Sequence, residues 1–472
     1  MGTTKFRDGW HWALLIALVP LLGFWTYGLF DLDEGFYAAV VAEMNRRHDW
    51  ITPFYNGQPW FEKPILLYWL AKPCLMIFGE AVGPRLPGIL ATVGLYWMCG
   101  HVMARRYGVV TARWTVLVLS SSLLFVAVGR MMMTDSLLNL SLSACLILFF
   151  LSLEGDKRLR LGSAACLGLA VLAKGPVAAI LFVAITGIAY WQLPKLRTGF
   201  RGFWVPSMLV FAVVVLSWYW PCYAVNGQLF VQKFLIEQNI GRFTGGDAAH
   251  TVGFFKGLPI YPLTLLVGMA PWSFFMVRSW RREGDALDAY FKVWFLVIFV
   301  FFTISGAKLP HYILTAATPL ALLTARDCAS RKLSFNWGFA SVAAVGLFAQ
   351  FGFSYYYQQG HAEIHRLAKA IVSSPDASFP VIVYQMPRRD NDKGTGTLHL
   401  RETSHPSLLL YLNRTVAEAD TPAQLDSAIE AARSAGAKGV FVLTRASRNL
   451  GRTDLQRCFE PWSDYACWSL QW

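Results

Sequence analysis

The chain is dominated by long apolar runs separated by short polar segments. A helix needs roughly 17–25 consecutive apolar residues to cross a bilayer, and many runs approach that length. A chain of this kind can fold as a membrane-embedded helix bundle, because helices satisfy their own backbone hydrogen bonds within lipid. We predict about eleven spans, at residues 11–30, 86–104, 114–129, 136–153, 159–173, 175–193, 203–221, 257–277, 289–305, 310–325 and 335–354.

The composition excludes a soluble enzyme. Of the 472 residues, 55% are hydrophobic and 15% are charged, whereas a soluble domain has about 25% charged residues. The net charge of +13, from 42 basic and 29 acidic residues, would suggest nucleic acid as the partner of a soluble protein. Here the basic residues form short clusters between apolar runs, so we predict no nucleic-acid partner. No CxxC occurs, so neither a zinc ribbon nor a redox pair is indicated.

The basic clusters also orient the chain. They occur at every second loop, and such clusters face the cytoplasm in membrane proteins. The N-terminus is therefore predicted to be cytoplasmic and the C-terminus to lie outside. The first span follows Lys5 and Arg7 and lacks a small-residue cleavage site before Asp31, which indicates an uncleaved anchor.

One apolar segment, residues 64–79, is left out of the spans because counting it would break the alternation of the basic loops. It is short and contains Lys72-Pro73. We predict a helix lying at the outer membrane interface, with a tilted true span as the alternative.

Three regions are predicted to lie outside the bilayer, namely the loops 31–85 and 223–256 and the tail. We therefore divide the chain into a membrane domain, 1–356, and a small α/β domain, 357–472. In the tail, residues 379–385 and 439–444 have the pattern of strands.

A helix is predicted to begin at Thr421, where Thr421 and Gln424 form a capping box with Pro at the first helical position, and to stop at Gly436. Cys458 and Cys467 also fall in the tail. They either pair in an oxidising compartment or remain free thiols.

Ionisable residues are nearly absent from the middle of the spans, which argues against an ion-coupled transporter. They gather at the predicted outer ends of the spans, where groups from distant loops converge on one membrane face. An interfacial site for an anionic, lipid-borne substrate has this arrangement. The residues are Asp33, Glu34, Glu43, Glu62, Lys63, Arg85, Arg130, Asp135, Lys174, Glu237, Arg242, His250, Lys308 and His311.

Each candidate also has a plain structural interpretation. Asp33 is either a functional carboxylate or the N-cap of the helix that follows it. Lys63 either contacts a lipid phosphate or extends its charge to the membrane surface. Asp135 is equally well a helix cap, and Arg242 a solvated surface arginine.

Two short turns complete the candidates. Lys174-Gly-Pro176 interrupts a long apolar run and can be a simple turn. Lys308-Leu-Pro-His-Tyr312 is a turn that can bring a cation and a hydroxyl together.

With these motifs assembled, the chain resembles the GT-C-type membrane glycosyltransferases, most closely the lipid A aminoarabinose transferase and protein O-mannosyltransferase families. The resemblance covers about residues 10–330. It rests on FDLDEGFYAAVVAEMNRRHDWITPFYNGQPWFEKPILLYWL, followed in the same order by RMMMTDSLL, LAKGP, IGRF and KLPHYIL. It implies an all-α polytopic GT-C fold, with about eleven transmembrane helices plus interfacial helices, in a bacterial inner membrane.

The resemblance implies a role for each matching residue. Asp33 matches the essential carboxylate, with Glu34 beside it, and Asp135 matches a second important acid. The remaining matches are substrate contacts, in particular with the lipid phosphate: Lys63, Lys174, Arg242 and Tyr312.

A divalent metal, zinc or magnesium/manganese, is implied only in some members of these families. Glu62 matches the position near that metal. Some aminoarabinose transferases have a zinc-binding His near the segment occupied here by Glu237-Gln-Asn239, so Glu237 is a candidate ligand.

The implied activity is inverting transfer of a sugar from polyprenyl phosphate, such as undecaprenyl phosphate, to lipid A, a glycan or a protein. The absence of a nucleotide-binding glycine loop fits a lipid-phosphate donor. A lipid-linked sugar transporter or flippase is the alternative, and a membrane-anchored binding protein is a third interpretation.

Overall fold

The computed structural model describes residues 9–31, 33–202, 204–241, 253–386, 388–389, 402–403, 405–447, 450, 452, 454–458 and 464–472. The chain divides into two compact units. The first comprises Met1–Phe24, Phe61–Leu70 and Arg85–Gly352, and the second comprises Trp25–Trp60, Ala71–Pro84 and Phe353–Trp472.

The first unit is helical. Its helices are Trp12–Ala17, Leu86–Tyr107, Val109–Ser120, Leu123–Gly129, Thr134–Glu154, Leu159–Lys174, Val177–Gln192, Trp204–Phe230, Phe254–Gly257, Ile260–Gly268, Ser273–Trp280, Ala286–Ile304 and Leu314–Ser330. The other helical segments are the 3₁₀ helices Val19–Leu21, Pro194–Phe200 and Pro310–Ile313 and the π-helical Val231–Gly241. Two further helices, Leu66–Val82 and Phe335–Gly360, contribute residues to both units.

Within the described residues, five helices are long and apolar enough to cross a bilayer, and seven if each of two bent helix pairs counts as one span. The chain is thus a mostly helical protein with several apolar helices, as predicted. The count of about eleven spans stays a prediction. The segment predicted at the interface is the helix Leu66–Val82, which is interrupted at Gly79, where φ is +70°.

The helix predicted over 11–30 is shorter than expected. The α-helix covers only Trp12–Ala17, and a 3₁₀ turn continues to Leu21. Gly23 then adopts a φ of +74°, a conformation that ends a helix. A Cβ atom at Gly23 would also overlap the Gln350 side chain, so close packing requires glycine here.

The second unit is an α/β structure. Its helices are Glu34–Arg46, Ala362–Val372, Ser407–Leu412 and Pro422–Ser434. Its strands are Phe54–Tyr55, Gln58–Pro59, Val381–Tyr384, Arg388–Arg389, Glu402–Thr403, Ala417–Ala419, Gly439–Arg445, Gln456–Arg457 and Tyr465–Gln471.

A five-stranded sheet forms the centre of the C-terminal part. Val381–Tyr384 lies between Ala417–Ala419 and Gly439–Arg445, parallel to both, and Tyr465–Gln471 pairs antiparallel to Gly439–Arg445. The two predicted strands are therefore confirmed, as adjacent parallel strands.

The predicted capping box is also present. Both Thr421–Gln424 hydrogen bonds form, and the helix ends before Gly436, whose φ is +81°. Cys458 and Cys467 face each other across antiparallel strands, with their Sγ atoms 3.6 Å apart. Both are free thiols in the structure.

Candidate active site

A buried ion pair joins two consecutive helices of the first unit. Asp135 lies in the first turn of Thr134–Glu154, and Lys174 is the last residue of Leu159–Lys174. A short connection makes these helices antiparallel, so the two residues meet at the same end. The Lys174 ammonium bonds the Asp135 carboxylate, and the two side chains are only 11% and 6% exposed. Each charge also has the sign that its helix terminus favours.

The predicted break at Lys174-Gly-Pro176 is confirmed. The helix ends at Lys174, Gly175 adopts a φ of +95°, and the next helix begins at Val177. A Cβ atom at Gly175 would lie 2.8 Å from Oδ1 of Asn239. The turn therefore requires glycine both for its backbone conformation and for its contact with the segment 231–241.

Two residues of the 3₁₀ helix Pro310–Ile313 complete this cluster. Nζ of Lys174 lies 4.3 Å from the centroid of the Tyr312 ring, which is a cation–π contact. Nε2 of His311 lies 3.9 Å from Oδ2 of Asp135. We call Asp135, Lys174, His311 and Tyr312 the Lys174 cluster. The sequence placed His311 among the ionisable residues at the outer membrane face but gave it no role in the site, although its place in the Lys-Leu-Pro-His-Tyr turn could have indicated one.

Lys308, from the same turn, is directed elsewhere. Its ammonium donates hydrogen bonds to the carbonyl oxygens of Phe302 at 3.3 Å, Thr303 at 2.6 Å and Ser305 at 2.5 Å. These carbonyls lie at the end of the helix Ala286–Ile304, where backbone acceptors lack helical partners. The cation that approaches Tyr312 is therefore Lys174, and Lys308 caps a helix.

Lys308→Met is expected to lower stability by about 1–3 kcal/mol, because it leaves buried carbonyl oxygens without a donor. The measurement is thermal unfolding of the purified protein in detergent. Lys438→Met, at an exposed position, is the control and should shift unfolding little. Equal stability of Lys308→Met and wild type would contradict the capping role.

Lys63 and Glu62 lie in the first unit as well. The Lys63 side chain is buried, with its ammonium 3.9 Å from the Glu62 carboxylate, and its positive charge also acts on Asp135. Lys63 therefore adds a second cation to the surroundings of the Lys174 cluster.

The predicted metal ligands have cationic partners instead. Glu62 faces Lys63, and the Glu237 carboxylate accepts hydrogen bonds from Lys233 at 3.0 and 3.1 Å. In the part of the chain that the structure describes, no three His, Cys, Asp or Glu side chains come together as a metal site. A divalent metal at Glu62 or Glu237 therefore stays a prediction from the resemblance.

Asp33 and Glu34 lie in the second unit. Asp33 occupies the N-cap position of Glu34–Arg46, but its carboxylate makes no capping hydrogen bond among the described residues. Glu34 is fully buried, and its carboxylate accepts the backbone N–H of Phe30 at 3.1 Å. Glu34 therefore holds the turn that carries Asp33. Arg242, the remaining predicted site residue, lies outside the described residues.

Sequence reasoning missed Asp31. Its carboxylate accepts a hydrogen bond from the Ser407 N–H at 2.9 Å and contacts Nδ1 of His405 at 3.0 Å. Nδ1 of His361 lies 3.6 Å from the same carboxylate. Burial raises the pKa of Asp31, but the nearby His361 ring and the hydrogen bonds of the carboxylate with His405 and Ser407 outweigh this effect, and the pKa is lowered to about 2.

This pKa predicts a pH dependence of stability. A carboxyl with a depressed folded-state pKa stabilises the fold above its unfolded value of 3.8, and the contribution is lost as pH falls towards about 2. A shift of this size corresponds to about 2 kcal/mol. Asp31→Asn should therefore be less stable than wild type at neutral pH, and the difference should vanish between about pH 4 and pH 2. A difference independent of pH in detergent melting experiments would contradict it.

Part of the sequence is similar to those of known glycosyltransferases. Residues 62–220 match the sequence profile of the dolichyl-phosphate-mannose-protein mannosyltransferases. The predicted resemblance is confirmed. The chain is 30% identical over 338 residues to the undecaprenyl phosphate-alpha-4-amino-4-deoxy-L-arabinose arabinosyl transferase of Yersinia enterocolitica, a match covering 68% of this chain and 59% of that protein. It is 29% identical over 351 residues to the second such transferase of Sodalis glossinidius, covering 70% and 62%.

The chain thus spans about three fifths of these relatives. Among solved structures, it is similar to ArnT from Cupriavidus metallidurans bound to undecaprenyl phosphate, with a TM-score of 0.77 and 18% identity. That likeness covers 97% of this chain and 96% of the other. The apo state of the same protein gives a TM-score of 0.73. The chain has the fold of that ArnT.

Proposed function

We propose that the chain is an inverting glycosyltransferase that moves a sugar from a polyprenyl phosphate to an acceptor. The observation that carries the proposal is the buried Lys174 cation, held by Asp135 against Tyr312. A cation fixed in this way suits a phosphate group. The likeness to a protein solved with undecaprenyl phosphate and the names of the relatives support the same donor.

The reaction makes one bond and breaks one. An acceptor oxygen attacks the anomeric carbon from the side opposite the phosphate, the bond from that carbon to the phosphate oxygen breaks, and polyprenyl phosphate leaves. Negative charge grows on the leaving phosphate, so cations fixed beforehand lower the barrier. Lys63 and Lys174 would supply that charge, with Tyr312 as a further contact. Arg242 is proposed as another phosphate contact.

Asp33 is proposed as the catalytic carboxylate. If the acceptor is a hydroxyl of a glycan or protein, Asp33 takes its proton as the general base. If the acceptor is a lipid A phosphate, it is already ionised, and Asp33 instead orients it or stabilises positive charge on the sugar. We propose supporting roles for the other two acids. Glu34 holds the turn that carries Asp33, and Asp135 holds the Lys174 ammonium in place.

The proposed location is the outer face of a bacterial inner membrane. The basic loops between apolar runs favour about eleven spans, a cytoplasmic N-terminus and a periplasmic tail. We propose that residues 1–356 form the catalytic membrane domain and that 357–472 form a small α/β domain outside it. A divalent metal stays a prediction from resemblance.

A transfer assay tests the proposal. The purified protein in nanodiscs is given a panel of radiolabelled polyprenyl-phosphate sugars, together with lipid, glycan or protein fractions as acceptors. We expect label to move into one fraction, which names the acceptor class. Saturable donor binding with all label remaining on the donor would favour the lipid-linked sugar transporter or flippase, and translocation across proteoliposomes would then be the next measurement.

A further inference from the structure

A buried hydrogen-bond cluster in the second unit joins residue 31 to the C-terminal part of the chain. We call Asp31, His361, His405, Ser407 and Tyr465 the Asp31 cluster. The Asp31 side chain is 2% exposed. One of its carboxylate oxygens accepts the Ser407 N–H, the other contacts His405, and the Asp31 N–H donates to Nδ1 of His361 at 3.1 Å.

The cluster continues from Asp31 through His405 to Tyr465. Nε2 of His405 lies 2.5 Å from the Tyr465 hydroxyl. Burial raises the pKa of Tyr465 to about 12, so the phenol keeps its proton at neutral pH and can donate it to Nε2. The other ring nitrogen, Nδ1, then carries the hydrogen that is donated to Asp31.

The chain around Asp33 is fixed on both sides. Before it, the Leu29 N–H donates to the Tyr411 hydroxyl at 2.9 Å, and Asp31 is held by its cluster. After it, the buried Glu34 carboxylate bonds the Phe30 N–H. Hydrogen bonds thus restrain the backbone on both sides of Asp33. The residues that hold Asp31 come from the C-terminal part of the chain.

We propose that His405 is a positioning residue for Asp33, and that the C-terminal part of the chain is thereby required for turnover. This inference rests on the proposed role of Asp33. His405 would act through Asp31, two residues away, and would not touch the substrate. A misplacement of a reacting group by about 1 Å can cost on the order of 100-fold in rate, so loosening this turn should lower kcat.

Two isosteric variants separate positioning from general stability. The amide nitrogen of Asn lies near the position of Nδ1 and can still donate to Asp31, whereas that of Gln lies near Nε2 and can reach only Tyr465. We expect His405→Asn to keep kcat within about threefold of wild type, and His405→Gln to lower it about tenfold or more at unchanged donor KM. Tyr465→Phe, which keeps the Nδ1 contact, should behave like His405→Asn.

A second readout does not depend on transfer. Amide hydrogen exchange of residues 29–37 should be faster in His405→Gln than in His405→Asn, while exchange in the strands of the C-terminal sheet stays equal in both. Equal exchange of residues 29–37 in the two variants, or an equal loss of kcat in both, would overturn the inference. An inactive wild type would instead refute the proposed function, and the exchange comparison would still decide the role of His405.

Discussion

Asp33→Asn is expected to lower the rate of sugar transfer at least about 100-fold, while the protein stays folded. The change removes the charge and the basicity of the proposed catalytic carboxylate and keeps its size. Loss of general acid–base catalysis alone typically costs 100- to 10,000-fold. Asn has nearly the shape of Asp and can accept hydrogen bonds through its side-chain oxygen, so little stability should be lost. Transfer and thermal unfolding are measured on the same preparation.

Asp49→Asn is the matched control in the same unit. Its carboxylate oxygen accepts the N–H groups of Ile51 at 2.7 Å and Thr52 at 3.1 Å. Asn can accept the same bonds, so this variant should transfer sugar at the wild-type rate. Near-normal turnover of Asp33→Asn would refute the assignment of Asp33. An equal loss of transfer in Asp33→Asn and Asp49→Asn would show that replacing either carboxylate disturbs this unit, and it would give Asp33 no specific role.

The second large effect is expected at the Lys174–Asp135 pair. Lys174→Met leaves a buried carboxylate without its cation, and Asp135→Asn leaves a buried ammonium without its anion. Breaking one side of a buried ion pair costs about 3–5 kcal/mol. We therefore expect each single variant to lose both stability and transfer, which by itself does not separate structure from function.

The double variant, Asp135→Asn with Lys174→Met, makes that separation. It buries no unpaired charge, so its stability should return towards that of wild type. Transfer should remain at least about 100-fold reduced, because the proposed phosphate-binding cation is gone. Recovery of transfer together with stability would show that the pair serves only the fold.

The Arg106–Glu154 pair provides the control, since Glu154 ends the helix that begins beside Asp135. Two hydrogen bonds of 2.9 Å join these side chains, which are 34% and 25% exposed. A pair this accessible contributes about 0–1 kcal/mol. Arg106→Met with Glu154→Gln should therefore keep both stability and transfer.

Local signals in the sequence predicted local structure correctly. The helix break at Lys174-Gly-Pro176 and the capping box at Thr421 each depend on residues a few positions apart. Both could therefore be predicted from the residue types and their spacing in the sequence. The order of the helices along the chain also explains why Asp135 and Lys174 meet. Two consecutive antiparallel helices place the start of the first beside the end of the second. By contrast, the prediction of a continuous helix over 11–30 was wrong. The chain turns at Gly23, which packs against Gln350, and a contact between residues so far apart in sequence leaves no local signal.

The Asp31 cluster could not be predicted from the sequence. Asp31 and His405 are 374 positions apart, and no periodicity or motif connects them. Lys308 was misleading for a different reason. Its place in the turn with Tyr312 predicted a cation beside the Tyr312 hydroxyl, but backbone carbonyls at the end of Ala286–Ile304 bind its ammonium.

The most direct test of the central claim follows the fate of the donor carrier. Wild-type protein and Asp33→Asn are incubated with an undecaprenyl-phosphate sugar and the active acceptor fraction, and free undecaprenyl phosphate is quantified by mass spectrometry. We predict one carrier released for each sugar transferred, only when acceptor is present and only with the wild-type protein. An intact donor in every acceptor fraction, despite saturable binding, would contradict the assignment as a transferase.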